Sequence, residues 1–341
     1  MITPQPTTST KEQYKPNTLS DASIDRHVVI ELVRVTEAAA LAAVKHLGRG
    51  DKDAVDGAAV KAMRSVLNTM DINATVVIGE GEKDEAPMLY EGEVVGSARG
   101  RESGLKLDIA VDPVDGTTIA AEGGENAISV IAISESGRFL KAPSAWYMQK
   151  LAMGPEFDIT QFNLDMSTAA IIELAAQQKG VKPEDIVVCV LKRPRHDTLI
   201  KEIRAVGARL KLITDGDVAG AIATCMPGSG VDLLMGLGGS PEGVIAAAAL
   251  KCLGGHILGR LHFNDEQALK NALAMGVENP EKVHTTEELA GGEVIFAATG
   301  VTDGTMLKGI HHTKGGVQSH SVVMRSKTGT IRWVEAFHKD K

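Results

Sequence analysis

The sequence predicts an α/β protein in two parts, an α+β region over residues 25–160 and an α/β region over residues 161–341. Three observations carry that expectation. In the second half, three strands in turn lead through a loop into a helix: "DIVVCVL" through "KRPRH", "RLKLI" through "TDGD", and "VDLLMGL" through "GGSPEG" into "VIAAAALKCL". Strand, helix and strand in series imply a parallel or mostly parallel sheet. The first half has a different order, two helices followed by strands, and 341 residues are enough for both units with a sizeable core.

Taken in order, the first 24 residues are rich in Thr and Pro and read as a flexible tail. Over residues 25–47, Val28, Val29, Leu32, Val33, Ala39, Ala40, Ala43 and Val44 recur at helical spacing, and Gly48 and Gly50 end the helix. A second helix places Val60, Met63, Val66, Leu67 and Met70 on one face, with Asp56 at its start. The β-branched "ATVVIGEGE" and the pair "LKLDIAVD" and "NAISVIAIS" read as strands. A connecting region with Trp146 and Tyr147 leads to the second half, where helices are expected near Asp197 to Val206, up to about Met226, and after Gly239. The C-terminal "SHSVVMRSKTGTIRWVEAFH" reads as a hairpin turning at 327–330, its sheet left open.

Composition narrows the function. Lys and Arg number 36 against 44 Asp and Glu, a net charge of −8. Such a surface does not attract nucleic acid or an anionic membrane as a whole, so a bound phosphate needs a local cationic site or metal ions. Hydrophobic residues are 43% of the chain but aromatic residues only 3%, so the core is aliphatic. Cys189, Cys225 and Cys252 are odd in number and set in apolar segments, which suits free thiols in a reducing, cytoplasmic setting. No apolar run reaches membrane-spanning length and the start has no signal-peptide pattern.

Several strand ends carry chemistry. In "AVDPVDGTT", Asp112 ends an apolar strand and Pro113 and Gly116 make a turn that folds Asp115 back toward it. The same stretch alone is also an ordinary tight turn. As a site, its oxygen ligands suit Mg²⁺ or Mn²⁺, and Gly116, Thr117 and Thr118 offer backbone N–H groups to a phosphate. Glu80 stands between glycines at the end of another strand, where a solvated acidic turn with Glu82, Asp84 and Glu85 is the plainer reading. In "GGSPEG", Glu242 follows Gly239, Ser240 and Pro241 and is also explained as a charge at a helix start. Asp215 and Asp217 in "TDGD" can accept bonds from sugar hydroxyls or cap a helix, and Arg193 and Arg195 in "KRPRH" can clamp a phosphate. His196 reads as a local hydrogen-bonding residue, and His311, His312 and His320 as surface or interface residues. Acidic strand ends with one basic strand end indicate metal-assisted chemistry on an anionic polyol.

"DPVDGTT" resembles the signature of the lithium-sensitive sugar and inositol phosphatases. Together with "DGAAVKAM", "VVIGEGEKDEAPMLYEGEVVG", "RPRHD", "LITDGDVAGAI", "GLGGSPEGVIAAAAL" and "FAATGVTDG", the chain from about Asp25 to its end is similar to class II fructose-1,6-bisphosphatases. The resemblance implies a layered α-β-α-β-α sandwich and two or more Mn²⁺ or Mg²⁺ ions, one on Asp56 and Glu80 and another on Asp112 and Glu242, with Asp115 near them. It implies that Asp115, Gly116 and Thr117 meet the reacting 1-phosphate, with Thr117 orienting or activating the nucleophile. Tyr147, Arg193, Pro194, Arg195, Asp215, Gly216, Asp217 and Gly239 would hold the sugar and its distal phosphate. Some members carry Glu at the position of Asp115, and Ser240 replaces a small apolar residue. The implied reaction is hydrolysis of fructose 1,6-bisphosphate to fructose 6-phosphate in gluconeogenesis; scattered apolar residues and Gly-rich C-terminal loops suit a homo-oligomer (dimer or tetramer). Sedoheptulose 1,7-bisphosphate is the alternative or second substrate, and a silent sugar-phosphate sensor is the reading from another class.

Overall fold

The computed structural model describes residues 24, 26–80, 88–101, 106–142 and 145–340. The expected tail, apart from Ile24, and the acidic stretch Glu82, Asp84 and Glu85 lie outside the described residues. Ile24 itself is buried, and its carbonyl accepts a bond from the Arg325 guanidinium at 3.1 Å.

The helices are α1 (Arg26–Ala43), α2 (Lys52–Leu67), α3 (Thr117–Glu122), α4 (Thr168–Lys179), α5 (Asp197–Val206), α6 (Asp217–Ala223), α7 (Ser240–Leu253), α8 (Glu266–Ala274) and α9 (Thr286–Leu289). The strands are β1 (Asn73–Ile78), β2 (Val94–Val95), β3 (Lys106–Asp115), β4 (Ile128–Glu135), β5 (Tyr147–Met153), β6 (Val187–Leu191), β7 (Arg209–Ile213), β8 (Leu233–Gly239), β9 (His256–His262), β10 (Val283–His284), β11 (Ile295–Gly300), β12 (His311–Thr313), β13 (Gly316–Arg325) and β14 (Thr330–Lys339).

Two sheets result. The first has the order β12-β13-β11-β4-β3-β1-β2, with β14 also paired to β13, and the second the order β10-β9-β5-β8-β6-β7. Between them runs α7, whose residues from Gly243 to Leu250 are all buried. A helix apolar all round belongs in an interior, and its run of alanines lets a sheet approach from each side. Its core joins Val130, Ala132, Phe296 and Met324 of the first sheet to Met148, Ala152, Leu234 and Ile257 of the second. The apolar stripes of α1 and α2 cover the outer face of the first sheet through Ile109, Ile131 and Val323. α4 and α5 cover the outer face of the second through Val188, Val190 and Leu233. The order of layers is therefore helix, sheet, helix, sheet, helix.

The sheets do not part at residue 160. The segment "YMQKLAM", expected within a connection, is β5 and lies inside the second sheet, antiparallel to both β8 and β9. Four strands of that sheet still run one way, since β6 is parallel to β7 and β8, and β9 and β8 are both antiparallel to β5. The C-terminal hairpin returns to the first sheet, with β11 bridging β4 and β13. Its hydrophobic alternation fits any half-covered sheet, so pattern alone does not choose between the two.

Candidate active site

A cleft of ≈ 1340 Å³ opens where the ends of the two sheets face each other. It is lined by Asp56 of α2, by Glu80, Asp112, Asp115, Gly116 and Thr117 at the ends of first-sheet strands, by Tyr147, Asp215 and Gly239 at the ends of second-sheet strands, and by Glu242 of α7. Residues 186 positions apart in the chain, Asp56 and Glu242, are thus brought to one wall.

Each acidic group is aimed by local structure. Asp51 caps α2 by accepting from Ala54 N at 2.9 Å, so the helix starts earlier than expected and Asp56 stands one turn in. Likewise β3 does not end at Asp112. It continues through Pro113 to Asp115, with one residue more than its partner β4 between Asp112 and Asp115. Proline has no N–H for the ladder and is tolerated at such a bulge, which turns both carboxylates toward the cleft. Asp112 Oδ1 accepts from Val114 N at 3.0 Å, and Asp115 Oδ2 from Ala219 N of α6 at 3.2 Å. Gly239 is the last residue of β8, where a Cβ would stand 1.7 Å from Glu242 Oε2. Only glycine leaves that carboxylate its place.

The carboxylates strain against one another. Burial, then the charge of Asp56, pushes the Glu80 carboxyl up to about 8. Burial also raises Asp56, opposed by its hydrogen bond to Glu80. Asp112 is pushed well up by burial and by Asp115, Glu242, Glu80 and Asp56, and Asp115 by burial, Asp217 and Glu242. Burial and Asp217 raise Glu242, while Lys150 opposes them, and its Oε2 is buried with no hydrogen-bond partner. As these side chains stand, no three or more His, Cys, Asp or Glu among the described residues are gathered to hold a metal ion. The oxygen-only donors, the orphaned Oε2 and the unrelieved negative charge nonetheless fit a hard divalent cation.

That crowding has a measurable consequence. A carboxyl raised on folding holds a proton that the unfolded chain releases, so its penalty is absent below the ordinary value, 4.5 for Glu80, and complete above about 8. His196, His256, His284 and His320 are lowered by burial and act in the opposite sense near their ordinary range. The comparison is therefore with Glu80→Gln. Its melting temperature in chelator should gain on wild type as pH rises from about 5 to about 8. A constant difference across that window would refute the coupling.

The remaining expected residues are placed unevenly. Arg195 lies over the Tyr147 ring, 4.9 Å from its centroid, and donates from Nε to Leu237 O at 3.0 Å. Arg193 faces Asp215 at 3.8 Å. Both arginines stand behind cleft residues and do not line the cleft themselves, and Pro194 begins a single helical turn beside them. Asp217 is buried and paired to Lys150 at 2.7 Å, so its carboxylate is not presented to a sugar. His196 accepts from Leu237 N and bonds Leu191 O, a local structural role. Lys150 is not among the expected residues, and its signal is a lone charge in β5, followed by the apolar run Leu151 to Met153.

Comparison with known proteins adds to this geometry. Residues 26–338 match the family described as bacterial fructose-1,6-bisphosphatase, glpX-encoded. The chain is 44% identical over 326 residues to the protein of Escherichia coli (strain K12) named fructose-1,6-bisphosphatase 1 class 2, covering 92% of this chain and 95% of that one. It is 41% identical over 336 residues to the protein of Synechococcus sp. (strain JA-3-3Ab) named D-fructose 1,6-bisphosphatase class 2/sedoheptulose 1,7-bisphosphatase, covering 92% and 96%.

Proposed function

Because the chain belongs to the glpX-encoded bacterial fructose-1,6-bisphosphatase family, we propose that its cleft hydrolyses the 1-phosphate of fructose 1,6-bisphosphate, giving fructose 6-phosphate and inorganic phosphate. The observation that carries the reading is the meeting of Asp56, Glu80, Asp112, Asp115 and Glu242 with Thr117 in one cleft. Unaided phosphate monoester hydrolysis is among the slowest reactions known, so positioning and charge neutralisation are both required.

Asp56 with Glu80, and Asp112 with Glu242, would hold divalent ions, Mn²⁺ or Mg²⁺. Such ions, when bound, supply positive charge opposite the phosphoryl oxygens and the departing sugar oxygen. The chain's own groups do the rest. Thr117 donates its hydroxyl proton to Val114 O at 2.9 Å, which leaves the oxygen as an acceptor on the cleft side. It is thereby suited to orient a water molecule toward phosphorus. As the water oxygen bonds to phosphorus, the bond from phosphorus to the sugar's 1-oxygen breaks; Asp115 takes the proton that the water gives up and later releases it to solvent, and the departing oxygen takes its proton from solvent water. Tyr147 and Asp215 face the sugar, and Arg195 braces Tyr147 while adding cationic charge for the distal phosphate.

Replacing Thr117 by Ala is therefore expected to lower kcat by about 10²-fold with little change in KM. Replacing Arg195 should mainly raise KM, and an unchanged KM would remove it from substrate binding. The function itself is tested by phosphate release from a panel of sugar phosphates with Mn²⁺ or Mg²⁺. Fructose 1,6-bisphosphate should head the panel, and silence on every sugar bisphosphate would leave the sensor reading. The name of the Synechococcus relative supports sedoheptulose 1,7-bisphosphate as a second substrate in the same panel.

Place and assembly are part of the same proposal. Three free thiols support a cytoplasmic setting, where the reaction serves gluconeogenesis. Ile331, Trp333 and Phe337 project exposed from β14, a ten-residue edge strand, which supports a homo-oligomer.

A further inference from the structure

Between α3 and β4 the chain passes through Asn126, which with Leu89 makes up the non-glycine residues of positive φ among the described residues; its φ is 77°. Asparagine tolerates this left-handed conformation better than most residues, but it persists where surrounding structure enforces it. Here the enforcement comes from residues 301–305, the end of the "FAATGVTDG" stretch and the threonine that follows it, which have no task in the reaction above. Asn126 N donates to Asp303 O at 2.9 Å, and Asn126 Oδ1 accepts from Thr305 N at 2.9 Å. Next to it, Ala127 N donates to Thr302 Oγ1 at 2.9 Å, and Ala127 O accepts from Val301 N at 2.9 Å. The holding segment is itself tied down, since Asp303 Oδ1 accepts from Gly309 N at 2.9 Å and pairs with His311 Nε2 at 2.7 Å.

On its other side the dipeptide touches both halves of the cleft. Gly116 (φ 97°), which links Asp115 to Thr117, lies so close that a Cβ there would be 3.4 Å from Ala127 Cα. Gly216 (φ 77°), which links Asp215 to Asp217, would place a Cβ 3.6 Å from Asn126 O and 3.7 Å from Asp115 Oδ2. The first glycine directly follows a strand of one sheet, β3, and the second comes shortly after a strand of the other, β7. Asn126 and Ala127 are thus wedged between the two turns, one carrying the phosphate-facing Thr117 and the other the sugar-facing Asp215.

We propose that Asn126, clamped by the Thr302–Thr305 turn, is a positioning residue that fixes the spacing of these two turns and hence of Thr117 against the bound sugar phosphate. The inference rests on the phosphatase reading and deepens it. Asn126 does not line the cleft, so its loss should act on the alignment of reacting groups more than on affinity.

The test compares the full-length wild type with Asn126→Ala, Asn126→Asp and Thr302→Val, by phosphate release and by hydrogen exchange in residues 115–119 and 215–219. Asn126→Ala should lower kcat by about 10- to 100-fold, with KM within about threefold. Asn126→Asp keeps the acceptor for Thr305 N and the tolerance of positive φ, and should hold kcat within about threefold. Thr302→Val keeps its shape but loses the acceptor for Ala127 N, and should resemble Asn126→Ala; it carries the test should Asn126→Ala not fold. Exchange in both glycine turns should quicken in the two impaired variants and not in Asn126→Asp. Wild-type kcat and unchanged exchange in Asn126→Ala or Thr302→Val would overturn the proposal, as would an Asn126→Asp as impaired as Asn126→Ala. Silence of the wild type on every sugar bisphosphate would instead defeat the phosphatase reading, and the exchange comparison would still decide the positioning role.

Discussion

Asp112→Asn is expected to lower phosphate release by about 10³-fold and, at the same time, to raise the melting temperature of the metal-free protein. The first effect follows from its place. Asp112 lies on the β3 bulge facing the cleft, its Oδ1 held by Val114 N at 3.0 Å, and an amide there cannot supply the negative charge that would hold a cation against the phosphoryl group. The second follows from its surroundings. Asp115, Glu242, Glu80 and Asp56 all push the Asp112 carboxyl well above the ordinary range, so its ionised form destabilises the fold. Removing the charge relieves that repulsion, and a gain of about 1 kcal/mol would appear as roughly 1 to 2 °C in a chain of this size. Calorimetry in chelator and a phosphate-release assay on the same preparation check both halves. A variant that loses activity and stability together would mean that Asp112 serves the fold and not a metal.

Gly239→Ala should be nearly as damaging, although it removes no functional group. The added Cβ would lie 1.7 Å from Glu242 Oε2 and 2.6 Å from its Cδ, so the carboxylate must leave its position at the start of α7. Displacement of a reacting or positioning group by about 1 Å costs about 10²-fold in rate, which is the loss expected here. The control is a double-mutant cycle with Glu242→Gln. If the glycine acts only by leaving room for that carboxylate, Gly239→Ala should cost little once Glu242 is already an amide. Equal costs in both backgrounds would place the damage elsewhere, in the pairing of Gly239 with Tyr147 across β8 and β5.

What could be read from sequence followed from physics that is local in the chain. The apolar stripe of α1, the apolar middle of α7 and the β-branched strands declare themselves because periodicity reports which faces are buried. The acidic strand ends were legible for a related reason: Asp112, Asp115 and Glu242 each stand where an apolar run breaks, a poor place for a charge unless it is used or solvated. Partners across the chain were harder. Nothing in "YMQKLAM" says that it will slip between β8 and β9, and nothing in the C-terminal hairpin says that it returns to the sheet begun by β1. Such choices depend on which surfaces remain uncovered when the layers close.

The same limit applied inside the site. Asp217 looked as available as Asp215, yet its carboxylate is buried against Lys150, which lies 67 residues away. Arg193 and Arg195 were expected to touch the ligand, whereas the structure sets them behind Asp215 and Tyr147. Asn126 gave no signal at all, because its importance comes from a conformation, φ 77°, enforced by a segment 175 or more residues further on. Residue type at a strand end indicates chemistry; which side chains reach the cleft is decided by packing between the two sheets.

The central claim is that this cleft is a phosphatase site whose carboxylates work by holding divalent cations. Phosphate release from fructose 1,6-bisphosphate by chelator-stripped full-length protein, before and after Mn²⁺ is returned, tests it most directly. Release should be negligible in the stripped protein, return with Mn²⁺, and fail to return in Asp112→Asn. Full-rate release from the stripped protein, or none with Mn²⁺ in excess, would contradict the account.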